Sequence, residues 1–143
     1  MEGFLSGFKL SPKPLQGVTQ AAVKRKVVAG VALKEALVAL TSAEGLSSWL
    51  GETEKFISHV GIKFETTVDG EKSKSVITAL DLPKRIVFMV EALGEFDFAI
   101  SEKAKVVQVE LTVRRAVTPD QENSWKDSVE QILARLEKVL SHG

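Results

Sequence analysis

Residues Val106-Val-Gln-Val-Glu-Leu-Thr-Val-Arg-Arg-Ala-Val117, followed directly by Thr118-Pro119-Asp120-Gln121, decide the fold. In the first stretch Val107, Val109, Leu111 and Val113 face one way while Gln108, Glu110, Thr112 and Arg114 face the other, which predicts a half-buried strand with one wet face. The period then changes. Thr118 reads as an N-cap, Pro119 as the first helical residue, and Gln121 is placed to complete a capping box. Trp125, Val129, Ile132, Leu133, Leu136, Val139 and Leu140 recur at three- and four-residue spacing, one apolar stripe on a helix of about 22 residues. Glu122–Lys126 and Lys126–Glu130 are spaced to pair on its other side. So long a stripe must lie across something large and apolar, and the strand before it points to a sheet.

Working upstream, the period stays at two. Phe96-Asp97-Phe98-Ala99-Ile100 alternates, and Arg85 to Glu91 is rich in β-branched and aromatic residues. Ile62–Val68 and Val76–Leu80 flank Asp69-Gly70, a strong hairpin signal. Gly61 and Leu93-Gly94 mark further turns, and Asp81-Leu82-Pro83 a loop. One register decides which side chains share a face. With Leu93-Gly94 alone as the turn, Phe96 and Phe98 would join Val87 and Met89; with Ala92 in the turn they join Phe88 and Val90. The second is adopted because it gathers the phenylalanines. Nearer the front, residues 18–28 predict a strand with Lys24 and Lys26 on one face and Arg25 on the other. Leu33, Ala36, Leu37 and Leu40 predict a helix. Thr41-Ser42-Ala43-Glu44 reads as a capping box opening a second short helix through Leu46, Trp49 and Leu50, stopped by Gly51. The order is strand, helix, helix, five or so strands, long helix, and such segregation argues α+β.

Composition narrows the chemistry. Lys plus Arg and Asp plus Glu number 19 each in 143 residues, so no long-range field attracts nucleic acid or anionic lipid. The absence of cysteine excludes disulfides, thiolate catalysis and cysteine-held zinc or iron–sulfur clusters. The N-terminus carries Glu2 where a secretory signal needs bases, and no window reaches the ~18 apolar residues of a spanning helix. The expectation is a cytoplasmic protein without stable membrane insertion. Residues 1–18, with Phe4, Leu5, Phe8 and Leu10 ahead of Ser11-Pro12-Lys13-Pro14, read as an N-terminal arm, and 19–143 as a single domain.

Three segments carry a family resemblance. Ala39-Leu-Thr-Ser-Ala-Glu-Gly-Leu-Ser-Ser-Trp49-Leu50, Ala79-Leu-Asp-Leu-Pro-Lys-Arg-Ile86, and Trp125 followed by Val129, Leu133 and Leu136 resemble motifs of the START-like (SRPBCC) superfamily, in the same order. Within it the nearest likeness is to the ATPase-activator (Aha-type) homologues. The resemblance runs from about residue 19 to the end. It departs at Leu37, at the single Gly61, and at Phe88 and Val90, where an aromatic, a glycine pair and a tryptophan are frequent. The resemblance implies a helix-grip (START/Bet v-like) α+β fold, in which a curved antiparallel sheet wraps a long C-terminal helix, with two short helices between strands 1 and 2. It further implies an apolar cavity that holds a lipid, sterol or polyketide-like molecule; some relatives act as cyclases or co-chaperones.

Catalytic patterns are scarce. His59 stands beside a turn without metal spacing, His142 is penultimate, and no nucleophile elbow or phosphate-binding glycine loop occurs. Glu95 and Asp97 fall on the outward face, and Glu91 would join the phenylalanines only in the rejected register. No catalytic, metal or cofactor site is assigned. Trp49, Phe64, Phe88, Val90, Phe96, Phe98, Trp125, Val129 and Leu133 are the candidate ligand-binding residues. Whether these groups line a pocket or fill a core stays open on periodicity alone. The reading is a module for a hydrophobic small molecule; the alternatives are a protein-interaction or co-chaperone module with a filled cavity and, third, a cyclase- or hydrolase-type enzyme.

Overall fold

A computed structural model describes residues 19–57 and 59–142; the expected arm at 1–18 lies outside them. One antiparallel sheet contains β1 (Thr19–Ala29), β2 (Thr53–Glu54), β3 (Lys63–Val68), β4 (Glu71–Asp81), β5 (Arg85–Val90), β6 (Gly94–Lys103) and β7 (Val106–Val117). Their order across the sheet is β1-β7-β6-β5-β4-β3-β2, a meander from β2 to β7 with β1 closing on β7. Helices α1 (Leu33–Thr41) and α2 (Ala43–Ser47) lie between β1 and β2, and the curved sheet grips α3 (Pro119–His142). This is the helix-grip α+β architecture.

The turns follow from local chemistry. Asp69 and Gly70 both take positive φ, 53° and 83°, as a two-residue hairpin whose twist matches its strands requires. Residues 91–93 form the β5–β6 turn, so Phe88 pairs with Phe96 and Val90 with Gly94, the register that gathers the phenylalanines. Gly94 has φ 115°, and a Cβ there would lie 2.2 Å from the Arg114 carbonyl oxygen, so the neighbouring strand itself demands glycine. In β4 the register against β5 shifts between Ile77 and Ala79, which leaves Thr78 unopposed. Such a bulge bends a strand and increases its twist.

Two caps differ from expectation. The N-cap of α2 is Ser42, whose hydroxyl accepts from the Gly45 amide at 2.9 Å, so Thr41 and Glu44 do not form the predicted box. Thr41 instead donates back to the Leu37 carbonyl at 2.5 Å, within α1. At α3 only half the box is made: Gln121 accepts from the Thr118 amide at 3.2 Å, while the Thr118 hydroxyl donates to Asp120 at 2.6 Å. That bond holds the exposed Asp120 carboxyl below its ordinary pKa. The stripe on α3 is buried through Trp125, Val129, Ile132, Leu133, Leu136 and Leu140, and the helix lies mainly along β1. At its end the Gly30 amide donates to the Leu140 carbonyl at 2.9 Å.

Candidate functional site

Alternation along the strands sorts the candidate residues onto one surface. Phe64 (β3), Phe88 and Val90 (β5), Phe96 and Phe98 (β6) are buried on the inner face of the sheet, and Trp125, Val129 and Leu133 are buried on α3. Trp49 follows α2 and reaches the same region, its indole N–H donating to the Ala39 carbonyl at 2.8 Å. The aromatic residues form a continuous series. Centroids lie 5.8 Å apart for Phe64–Phe88, 5.3 Å for the stacked Phe88–Phe96 pair, and 5.8 Å for Trp49–Phe98. Phe56, from the loop after β2, extends the series with an edge contact to Phe64 at 4.9 Å. These separations are those of rings in direct contact.

At one end of this face a groove of about 620 Å³ opens between the β3–β4 hairpin, the β5–β6 turn and the start of α3. Val68, Leu93, Val117 and Trp125 give it apolar walls, and Glu71, Arg115 and Asp120 stand among its polar lining. The Trp125 indole N–H donates to the Leu93 carbonyl at 2.7 Å, which fixes the helix against the turn at the edge of the groove. A second groove of about 640 Å³ is lined by Lys63, Glu65, Lys74, Val76 and Met89 from the opposite face of the sheet, and also by Phe64 and Ser75 of the inner one.

Two features of the inner face escaped the sequence reading. The first is a row of buried hydroxyls: Thr53 pairs with Thr66 across β2–β3, and Thr66 with Ser73 across β3–β4. Ser75, buried on the same face, follows along β4. Its signal was present in the alternation of Phe64-Glu-Thr66 with Ser73-Lys-Ser75. The second is Arg25, which faces α3 and pairs with Glu130 and, at 2.9 Å, with Glu137. Glu130 is thereby drawn to the sheet and away from the expected Lys126 partnership, while Lys126 keeps Glu122 at 2.9 Å.

The outward carboxylates do more than meet water. Asp97 accepts two bonds from Arg85, at 3.1 and 2.8 Å, and lies 3.5 Å from Arg114, which also pairs with Glu95 at 2.9 Å. The Arg85 guanidinium leads in holding the Asp97 carboxyl below its ordinary pKa; burial opposes it, and Arg114 adds a lesser share in the same direction as Arg85. His59 is exposed, and Glu91 is exposed in its turn. Among the described residues no group of three or more His, Cys, Asp or Glu side chains is arranged to hold a metal ion, and no helix is long and apolar enough to cross a membrane.

Strand order, gripped helix and the paired short helices together define a helix-grip α+β fold. The structure resembles protein BH1534 from Bacillus halodurans (TM-score 0.70, 13% identity, 88% of this chain and 100% of that one). It also resembles the Aha1 dimer from Colwellia psychrerythraea (TM-score 0.62, 15% identity, 86% and 98%). A third likeness is to DynU16, from the dynemicin biosynthetic locus (TM-score 0.63, 15% identity, 83% of this chain and 46% of that one). No family model matches the chain, and no curated protein matches it in sequence. At these identities the likeness is one of fold.

Proposed function

We propose that this protein is a non-enzymatic binding module for a hydrophobic small molecule, taken up between the sheet and α3. The observation that carries the reading is the groove of about 620 Å³ at their junction, walled by Leu93, Val117 and Trp125 and continuous in position with the inner face. Trp49, Phe64, Phe88, Val90, Phe96, Phe98, Val129 and Leu133 supply the apolar surface deeper in. Binding would draw on area removed from water, about 25 cal/mol per Å². Because the rings already touch, occupancy requires them to part, and the groove between the β5–β6 turn and the start of α3 would be the point of entry.

Native mass spectrometry and tryptophan emission test the reading. A co-purified mass, or a saturable shift of Trp49 and Trp125 emission on titration with lipid extracts, is the expected result. The absence of both across the panel would overturn it. The second reading, a protein-interaction module with a filled interior, has the ring contacts behind it. It predicts a protein partner captured by the full chain and lost on deletion of residues 1–18.

A further inference from the structure

The inner face of the sheet is not uniformly apolar. On β5, β6 and β7 its buried positions hold Ile, Val, Leu and Phe, whereas β2, β3 and β4 place four buried hydroxyls there, those of Thr53, Thr66, Ser73 and Ser75. Two of the four have ready structural explanations. The Thr53 hydroxyl donates to the Gly51 carbonyl at 2.8 Å, and Ser73 Oγ accepts from the Ala92 amide at 2.9 Å. Thr66 and Ser75 have none. Thr66 is 0% and Ser75 4% exposed, and among the described residues their one polar contact is with each other, at 3.5 Å. A sound hydroxyl–hydroxyl bond spans about 2.5–3.0 Å. Two hydroxyls withdrawn from water for so long a contact are a cost without a structural return, because valine and alanine would fill the same space.

Their position gives the cost a purpose. Val68 and Glu71, which line the groove, are the next same-face positions along β3 and β4 from Thr66 and Ser73, and Ala92, bound to Ser73, lines it too. The charged side chains nearby, Lys63, Glu65, Lys72 and Lys74, alternate to the opposite face. We propose that Thr66 and Ser75 form the polar anchor of the ligand site, receiving a neutral oxygen of the ligand, a hydroxyl or a carbonyl, on the inner face, inward along β3 and β4 from the residues that line the groove. The ligand class is a hydrophobic molecule with an uncharged oxygen function. A carboxylate or an ammonium does not fit the anchor itself, whose own groups, Thr66 and Ser75, carry no counter-charge, the charges of Glu71, Arg115 and Asp120 standing at the groove. This inference rests on the small-molecule reading above.

Equilibrium dialysis of the full chain at pH 7 against 2-naphthol and 2-methylnaphthalene, matched in shape and differing by the hydroxyl, tests it. The wild-type protein should prefer 2-naphthol by about three- to tenfold. The Thr66→Val/Ser75→Ala double variant should lose that preference and bind 2-methylnaphthalene at least as tightly as before. Removing both partners together leaves no orphaned group, so the variant should melt at or above the wild-type temperature. Equal wild-type binding of both probes, or an undiminished preference in the variant, would overturn the anchor and leave the small-molecule reading standing. Binding of neither probe by the wild type counts against both. The wild-type comparison needs no variant, so a variant that failed to fold would not rescue the proposal.

Discussion

Phe96, Asp97 and Phe98 are consecutive, yet they belong to two different solvents. The two phenylalanines are fully buried among other rings, while the Asp97 side chain, 14% exposed, lies under two arginines on the far side of the same strand. On the inner face the stabilising quantity is shape: apolar area removed from water and filled without voids. On the outer face it is charge geometry, with Arg85, Asp97, Arg114 and Glu95 laid across β5, β6 and β7 so that opposite signs are neighbours. One backbone therefore carries two energetic regimes of unequal size, and substitutions on the two faces should differ in magnitude and in response to pH.

The inner face should show the largest effect. Phe88 stacks on Phe96 and also touches Phe64 and Phe98, so Phe88→Ala removes the ring where the series is densest. The expected loss is about 3–5 kcal/mol of unfolding free energy, measured by urea denaturation. A loss below about 1 kcal/mol would mean that the ring borders open space, and the contrast between the faces would narrow.

Arg25 breaks the simple division, being a charge on the inner face. It reaches past the apolar layer to Glu130 and Glu137, where α3 lies along β1. Its side chain remains partly exposed, so Arg25→Ala should cost about 1 kcal/mol, far less than Phe88→Ala on the same face. A double-mutant cycle with Glu137→Ala should give a coupling of about 0.5–1 kcal/mol. A coupling indistinguishable from zero would reduce the pair to a surface accident.

These cases show what the sequence could and could not disclose. The alternation in 96–100 and 106–117 and the stripe on α3 were strong because each runs long enough for its period to be unmistakable, and the choice of register at residues 91–93 followed from gathering Phe88, Phe96 and Phe98. β2 was missed because two residues show no period. The partners of Arg25 were missed because Glu130 and Glu137 are more than 100 positions away, and only the docked helix brings them close. The same holds for Asp97: alternation placed it outside, but Arg85 opposes it only once β5 and β6 are paired. The candidate site was legible as a set of apolar residues. Its hydroxyl row was not singled out, because serine and threonine between lysines resemble an ordinary solvated strand until the pairing of β2, β3 and β4 aligns them.

The smallest effect belongs to Asp97, and its sign is fixed by the direction of the shift. Arg85, through two hydrogen bonds, and Arg114 favour the carboxylate, so the folded protein binds this proton less readily than the unfolded chain. The stabilisation is then fully present above the unfolded carboxyl value of about 3.9 and is lost as pH falls through that value and the lower folded one. Asp97→Asn should cost about 0.5–1 kcal/mol at pH 7, since Arg85 is largely solvated. The difference between wild type and variant should shrink below pH 4, and 1 M salt should reduce it at pH 7 by screening the exposed arginine. A difference that grew on acidification would require Asp97 to be stabilised in its protonated form, which two guanidinium groups at hydrogen-bonding range forbid. Phe88→Ala should be indifferent to both variables, because no charge enters its balance. Thermal melts of the two variants at pH 3 and pH 7 therefore separate the faces by response as well as by size.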